Sequence, residues 1–333
     1  MTNLTVVGAT TWGTTLAIIS AREGSETKIL VRSQKEATYL NSQRENTRFL
    51  PGVKIPETAI ATESLDNAFD KSEVILFAVP SHSLRQNAKT VANKIDPEAI
   101  VVSAVKGLEV GSGKRMSEIL AEELPNTDKK NICALSGPNL AMEIVKGKPS
   151  STVIASSNIE VCTKAQKLLN SKQLRIYTND DIIGVEIGGA LKNITAIAVG
   201  ISDGLQFGDN AKAAIITRGL AEIARLGESL GAKKSTFSGL AGMGDLIATC
   251  SSSLSRNNQV GRMLASGQSI QDIHKTMKNV AEGVKTTEAA ISISRATGIN
   301  MPIASSVYDV LFNGIEPTHA VSSLMERAPT SEN

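Results

Sequence analysis

The stretch Leu4-Thr5-Val6-Val7-Gly8-Ala9-Thr10-Thr11-Trp12-Gly13 decides the fold. An apolar, β-rich run passes through a glycine turn into a helix-like segment at 14–22. The dinucleotide fingerprint G-x-G-x-x-G would place glycines at positions 8, 10 and 13. Gly8 allows the tight turn and Gly13 allows close packing of helix on strand. The helix amino terminus then offers free N–H groups and the positive end of its dipole to a pyrophosphate. Thr10 stands where a bare backbone normally approaches the phosphates, so an ordinary tight turn is the alternative reading.

Working outward, apolar runs of strand length recur at 28–31, 74–79, 100–105, 132–135, 152–155 and 174–177. Helix-like stretches separate them, which predicts βαβ units and a mostly parallel sheet. From about residue 181 the pattern changes to long helical periods at 182–199, 210–230, 270–276, 286–297 and 305–312. No internal repeat and no Pro/Ser-rich linker marks the change, so a helix is expected to join the two parts. The expected architecture is an α/β Rossmann-type N-terminal domain over 1–180, followed by an all-α C-terminal domain over 181–333.

A chain of 333 residues fits about two domains. At 41% hydrophobic and 20% charged it builds ordinary cores. Its three histidines (His82, His274, His319) and three cysteines (Cys133, Cys162, Cys250) show no metal-ligand spacing. So few cysteines in so long a chain also argue against a disulfide framework. Chemistry therefore falls to Lys, Asp, Asn, Arg, backbone amides or a cofactor, with no metal. A net charge of +2 and 3% aromatic residues argue against a nucleic-acid partner. The 21 residues before Arg22 carry no charge, yet they lack a basic start and are broken by Gly8, Gly13 and four threonines. Neither a signal peptide nor an integral membrane segment is expected, and the expected location is cytoplasmic.

In an open parallel sheet, ligands bind beyond the carboxyl ends of the strands. Those ends carry Gly8, Arg32, Pro80, Lys106-Gly107 and Gly137-Pro138-Asn139. Arg32 replaces the carboxylate that holds the ribose 2′-hydroxyl in NAD enzymes. It suits a 2′-phosphate, hence NADP(H), with a solvated arginine as the alternative. In the helical half, Gly188 and Gly189 interrupt a strong helix pattern at a cost of about 0.8–1 kcal/mol each. A helix accepts that when something approaches its backbone closely. Lys192 rises over the same face, either to meet a bound substrate or ring, or as a surface lysine beside close-packed helices. Asp245 closes a glycine-rich stretch and is either a ligand group or an N-cap. Ser255-Arg256-Asn257-Asn258 forms a donor cluster suited to a phosphate.

With these segments in view, the whole chain resembles the bacterial NAD(P)-dependent glycerol-3-phosphate dehydrogenases. Matching stretches are Gly8–Gly13, Phe49-Leu50-Pro51-Gly52, Val79-Pro80-Ser81, Lys106-Gly107, Ser136-Gly137-Pro138 and Ala141-Met142-Glu143. They continue through Gly188-Gly189-Ala190-Leu191-Lys192-Asn193, Gly239-Leu240-Ala241-Gly242-Met243-Gly244-Asp245, Thr249-Cys250, Ser255-Arg256-Asn257 and Val280-Ala281-Glu282-Gly283. The resemblance implies reversible reduction of dihydroxyacetone phosphate to sn-glycerol 3-phosphate with NADP(H) and/or NAD(H), supplying the glycerophospholipid backbone. It implies that Thr11, Trp12, Arg32, Lys106, Ala141, Arg256, Val280 and Glu282 touch the cofactor, beside Gly8 and Gly13 of the turn. Lys106, Gly137, Asn139, Lys192, Asp245, Ser255, Arg256 and Asn257 would hold the substrate, with Lys192 transferring the proton. Family resemblance also implies a homodimer. Two departures stand out: Thr10 replaces a usual glycine and is expected to weaken cofactor binding, and Asn139 replaces a usual small Ser or Thr. Competing readings are a hydroxyacid or ketopantoate reductase of the same build, and a nucleotide sensor without turnover.

Overall fold

The computed structural model describes residues 2–277 and 281–328. The opening apolar run forms strand β1, Asn3–Val7, with its last four residues buried as a central parallel strand requires. The other strands are β2 (Glu26–Leu30), β3 (Glu45–Asn46), β4 (Leu50–Lys54), β5 (Ala59–Thr62), β6 (Val74–Phe77) and β7 (Ile100–Ser103). They are followed by β8 (Ile132–Ser136), β9 (Ser150–Ala155) and β10 (Leu174–Asn179). Among the described residues, eight of these make one sheet in the order β10-β9-β8-β7-β6-β1-β2-β5. Every neighbouring pair is parallel except β8–β9, which is antiparallel. The short β3–β4 pair stands apart as a hairpin.

Side chains alternate between the two faces with a period of two. Val74 and Leu76 of β6 enter one apolar core while Ile75 and Phe77 enter the other. The first core includes the helix Thr11–Arg22 through Leu16, Ala17, Ile18 and Ile19. The second includes Leu84, Ala88 and Val91 from one helix, and Met116, Ile119 and Leu120 from another. A helix-covered sheet of this kind is the Rossmann-type architecture expected.

The chain separates into two units: residues 1–106 with 114–186, and residues 107–113 with 187–333. The helix Ile182–Gly204 contributes to both, through Glu186 to the first and from Ile187 to the second. In the first unit the buried Glu186 carboxylate accepts from Arg115 Nη1 at 2.7 Å, from the Ser117 N–H at 2.8 Å and from Ser117 Oγ at 2.5 Å. Burial raises the Glu186 pKa, against the lowering pull of Arg115 and Ser117.

The second unit is helical. Its longest helix, Ile182–Gly204, is the one described helix long and apolar enough to cross a membrane, and 83% of its most apolar window lies buried inside the protein. Leu246 and Cys250 of the helix Asp245–Ser251 pack on Ala196 and Val199 of that helix. Burial pushes the Cys250 thiol up to about 12, so it behaves as an apolar filler. On the helix Gly208–Ser229, buried Glu222 accepts the N–H groups of Ile303 (2.8 Å) and Ala304 (3.2 Å). These belong to the first turn of the helix Pro302–Phe312, whose leading amides lack intrahelical partners. Burial raises Glu222 to about 7, opposed first by these two amides and then by Arg225 and Arg327.

Candidate active site

The glycine turn builds itself from contacts between its own residues. A Cβ on Gly13 would stand 2.0 Å from the Gly8 carbonyl oxygen, and one on Gly8 would stand 2.7 Å from Val79 Cγ1. Gly8 also holds φ +107°, which side-chain-bearing residues rarely adopt. Thr10 precedes the helix Thr11–Arg22 as its N-cap: its hydroxyl accepts the Gly13 N–H at 3.1 Å and donates to the Ala78 carbonyl at 2.6 Å. The side chain in the missing glycine's place is therefore bonded inward, at the carboxyl end of β6. First-turn N–H groups at Thr11 and Trp12 have no intrahelical carbonyl to bond, and the dipole favours an anion there. These features fit a dinucleotide pyrophosphate. Thr11 Oγ1 donates to the Phe49 carbonyl at 2.9 Å, and Trp12 packs partly buried on the core.

Other expected residues of the first unit cluster at strand ends. Arg32 lies exposed two residues past β2. Lys106, three residues past β7, donates from Nζ to the Gly137 carbonyl at 2.9 Å. Gly137 follows β8 directly, and a Cβ there would stand 2.9 Å from Thr152 Cα. Asn139 Nδ2 donates to Thr152 Oγ1 at 2.9 Å, and Ala141 begins the helix Ala141–Val145.

The second unit brings together residues 53 to 64 apart in sequence. Lys192 is buried at 6% exposure, and its Nζ donates to Asp245 Oδ1 at 2.5 Å and to Thr249 Oγ1 at 2.6 Å. The reading of Lys192 as a surface lysine is thus overturned. Asp245 is not an N-cap either: it follows a wide π-type turn over Leu240–Gly244, and its carboxylate turns to the lysine. What approaches the bare face of Gly188 is that turn's own backbone, since a Cβ on Gly188 would stand 2.8 Å from the Ala241 carbonyl oxygen. The glycine makes room for the segment that delivers Asp245.

Asn257 has both ends of its amide engaged. Nδ2 donates to Asn193 Oδ1 at 2.8 Å, and Oδ1 accepts the Gly283 N–H at 3.0 Å. One Nδ2 hydrogen remains for a ligand. Ser255 caps the helix Arg256–Ala265 by accepting the Asn258 N–H at 3.3 Å, which leaves its own hydrogen to donate. Arg256 presents open surface, yet the protein around its guanidinium lowers its pKa by desolvation, opposed by the Glu282 carboxylate. Val280 lies outside the described residues. Thr249 and Asn193 join this cluster although the sequence reading assigns them no site role. The signal for Thr249 was its i,i+4 spacing from Asp245, which puts both on one helix face.

A dinucleotide-type turn in the first unit and a buried lysine–carboxylate pair in the second are features of pyridine-nucleotide oxidoreductases. Residues 3–162 and 181–322 match the N-terminal and C-terminal families of NAD-dependent glycerol-3-phosphate dehydrogenase. A glycerol-3-phosphate dehydrogenase [NAD(P)+] of Dehalococcoides mccartyi is 48% identical over 98% of this chain and 91% of its own length. The crystal structure of glycerol-3-phosphate dehydrogenase from Coxiella burnetii superposes with a TM-score of 0.92 at 35% identity, covering 98% of this chain and 99% of that one. A ketopantoate reductase from Ralstonia eutropha shares the fold alone, with a TM-score of 0.57 and 14% identity over 97% of this chain and all of that one. The chain belongs to the NAD-dependent glycerol-3-phosphate dehydrogenase family.

Proposed function

We propose that this chain reduces dihydroxyacetone phosphate reversibly to sn-glycerol 3-phosphate with NADPH or NADH, and so supplies the backbone of glycerophospholipids. The observation that carries the reading is the buried Lys192, with Nζ held by Asp245 and Thr249. Residues 1–180 supply most of the cofactor contacts, and residues 181–333 supply the proton donor and most of the substrate contacts.

When bound, the nicotinamide supplies the hydride to the ketone carbon. The ketone oxygen gains negative charge as that happens, and the Lys192 ammonium stabilises it and then gives it a proton. Asp245 and Thr249 both accept from the Lys192 ammonium and so fix the place from which it meets the substrate oxygen. In the oxidative direction the same nitrogen takes the alcohol proton. Arg256, the Ser255 hydroxyl and the free Asn257 N–H hold the phosphate end, and Lys106, Gly137 and Asn139 hold the remainder, so binding becomes orientation. Gly8, Thr11, Trp12, Gly13, Ala141, Arg256 and Glu282 would hold the cofactor, with Arg32 meeting the 2′-phosphate of NADPH. The enzyme works as a cytoplasmic homodimer, which light scattering and cell fractionation test. The deciding assay follows NADPH oxidation with dihydroxyacetone phosphate, beside pyruvate-like and ketopantoate-like acids. Faster turnover of either acid would refute the phosphate-specific reading.

A further inference from the structure

The turn over 136–139 rests on Thr152 of β9, a residue with no exposure and no role in the reading above. Thr152 Oγ1 lies 3.0 Å from the Ser136 carbonyl and 2.9 Å from Asn139 Nδ2. A carbonyl only accepts, so the threonine hydrogen goes to Ser136. The hydroxyl must then accept from Asn139, and only the Nδ2 end of that amide can donate. The chain itself thereby fixes the orientation of the Asn139 amide, with Oδ1 directed away from Thr152. That oxygen is buried and has no hydrogen-bond partner, although Asn139 as a residue is partly exposed. Ser136 Oγ, three residues earlier, is also buried without a partner. A buried acceptor left unpaired is unfavourable until a donor reaches it. Gly137 lies flush on Thr152, and Lys106 donates to the Gly137 carbonyl.

We propose that Thr152 is a positioning residue that holds the Asn139 amide with Oδ1 turned to the ligand, so that the ligand group met there is a hydrogen-bond donor. A serine or threonine at position 139 could give or accept a hydrogen bond; the amide oxygen held here only accepts. It repels phosphate oxygens and welcomes a hydroxyl or an amide N–H. In terms of the proposed function, on which this inference rests, the donor is either a substrate hydroxyl or the carboxamide of nicotinamide.

Two measurements separate these sources: KM and kcat for dihydroxyacetone phosphate, and the dissociation constant of NADPH from fluorescence titration without substrate. Thr152→Val keeps the volume and removes the relay, freeing the amide to rotate. It should raise one of the two constants about tenfold, the equivalent of about 1.4 kcal/mol, with kcat within twofold. Thr152→Ser keeps the hydroxyl and should restore the parent value within twofold. Asn139→Ala should raise the same constant, and adding Thr152→Val to it should change nothing further. A rise in KM alone assigns the donor to the substrate. A rise in the NADPH constant, absent for an analogue with acetyl in place of the carboxamide, assigns it to the nicotinamide. Both constants unchanged in Thr152→Val, or an undiminished effect in the Asn139→Ala background, would overturn the proposal. Should Thr152→Val not fold, unchanged constants in Asn139→Ala overturn it equally. Turnover of dihydroxyacetone phosphate by the parent protein tests the proposed function separately.

Discussion

Glu222 makes stability depend on pH with a sign opposite to that of a salt-bridged carboxylate. The residue is 4% exposed, and burial lifts its carboxyl pKa from an ordinary 4.5 to about 7. Below pH 4.5 the group is protonated whether the chain is folded or not, and the folded state carries no buried charge. Between these values the folded state holds a proton that the unfolded chain has released, so stability falls as pH rises. Above about 7 the penalty is complete. Each pKa unit is worth about 1.4 kcal/mol, so between pH 5 and pH 8 the loss attributable to Glu222 is about 2.5 kcal/mol. Glu222→Gln removes the titration while keeping one acceptor for the Ile303 and Ala304 amides. The assay is urea denaturation of parent and variant at both pH values, followed by helical circular dichroism. Other carboxylates, Glu186 among them, titrate alike in both proteins and cancel in the comparison. The parent should lose about 2.5 kcal/mol more than the variant on going from pH 5 to pH 8. A difference under 1 kcal/mol would refute the argument.

Lys192→Ala should lower kcat by about 10²–10⁴-fold and leave NADPH affinity, read by fluorescence titration, within threefold. Gly188→Ala places a Cβ 2.8 Å from the Ala241 carbonyl, which should cost about 1–3 kcal/mol in a thermal melt and lower kcat by displacing Asp245. Thr10→Gly forfeits the bond to Ala78 and should cost about 1 kcal/mol of stability, while NADPH binds more tightly; equal or weaker binding would remove Thr10 as a handicap. Arg32→Ala should weaken NADPH about tenfold while sparing NADH, because only the former carries a 2′-phosphate for a guanidinium to pair; titration with each nucleotide checks it.

The glycine turn and the buried strands are legible because they obey local rules: Gly8 and Gly13 are steric necessities, and β1, β6, β7 and β8 are short runs of mostly apolar residues. Edge strand β5 was not foreseen, since Ala59-Ile60-Ala61-Thr62 is short and alternates buried with exposed positions. The two-residue β3 left no periodic trace. Reversal of β8 against β9 was equally silent, because an apolar run does not state its direction. In the site, residue types were readable but commitments were not. Asn257 reads as a free amide until Asn193 and Gly283 claim its two ends. Thr249 acquires meaning only when Lys192 arrives from 57 residues away.

Glycine does in the helical unit what it does in the dinucleotide turn, and this explains how a polar cluster can be buried there. A lysine and a carboxylate taken out of water are unfavourable unless their remaining hydrogen bonds are satisfied at close range. Helix axes held apart by ordinary side chains lie 8–10 Å from each other, too far for short side chains and backbone amides to meet. Gly188 lets the 240–244 turn sit on the lysine-bearing helix and deliver Asp245. Gly283 does the same for the helix Glu282–Thr297: a Cβ there would stand 2.7 Å from Asn257 Oδ1 and 2.8 Å from the Asn193 carbonyl. Its bare amide is the donor that Asn257 accepts. The glycines that weaken each helix alone are therefore what permits the lysine, carboxylate and amides to satisfy one another, and the cost in helix propensity is inseparable from the chemistry.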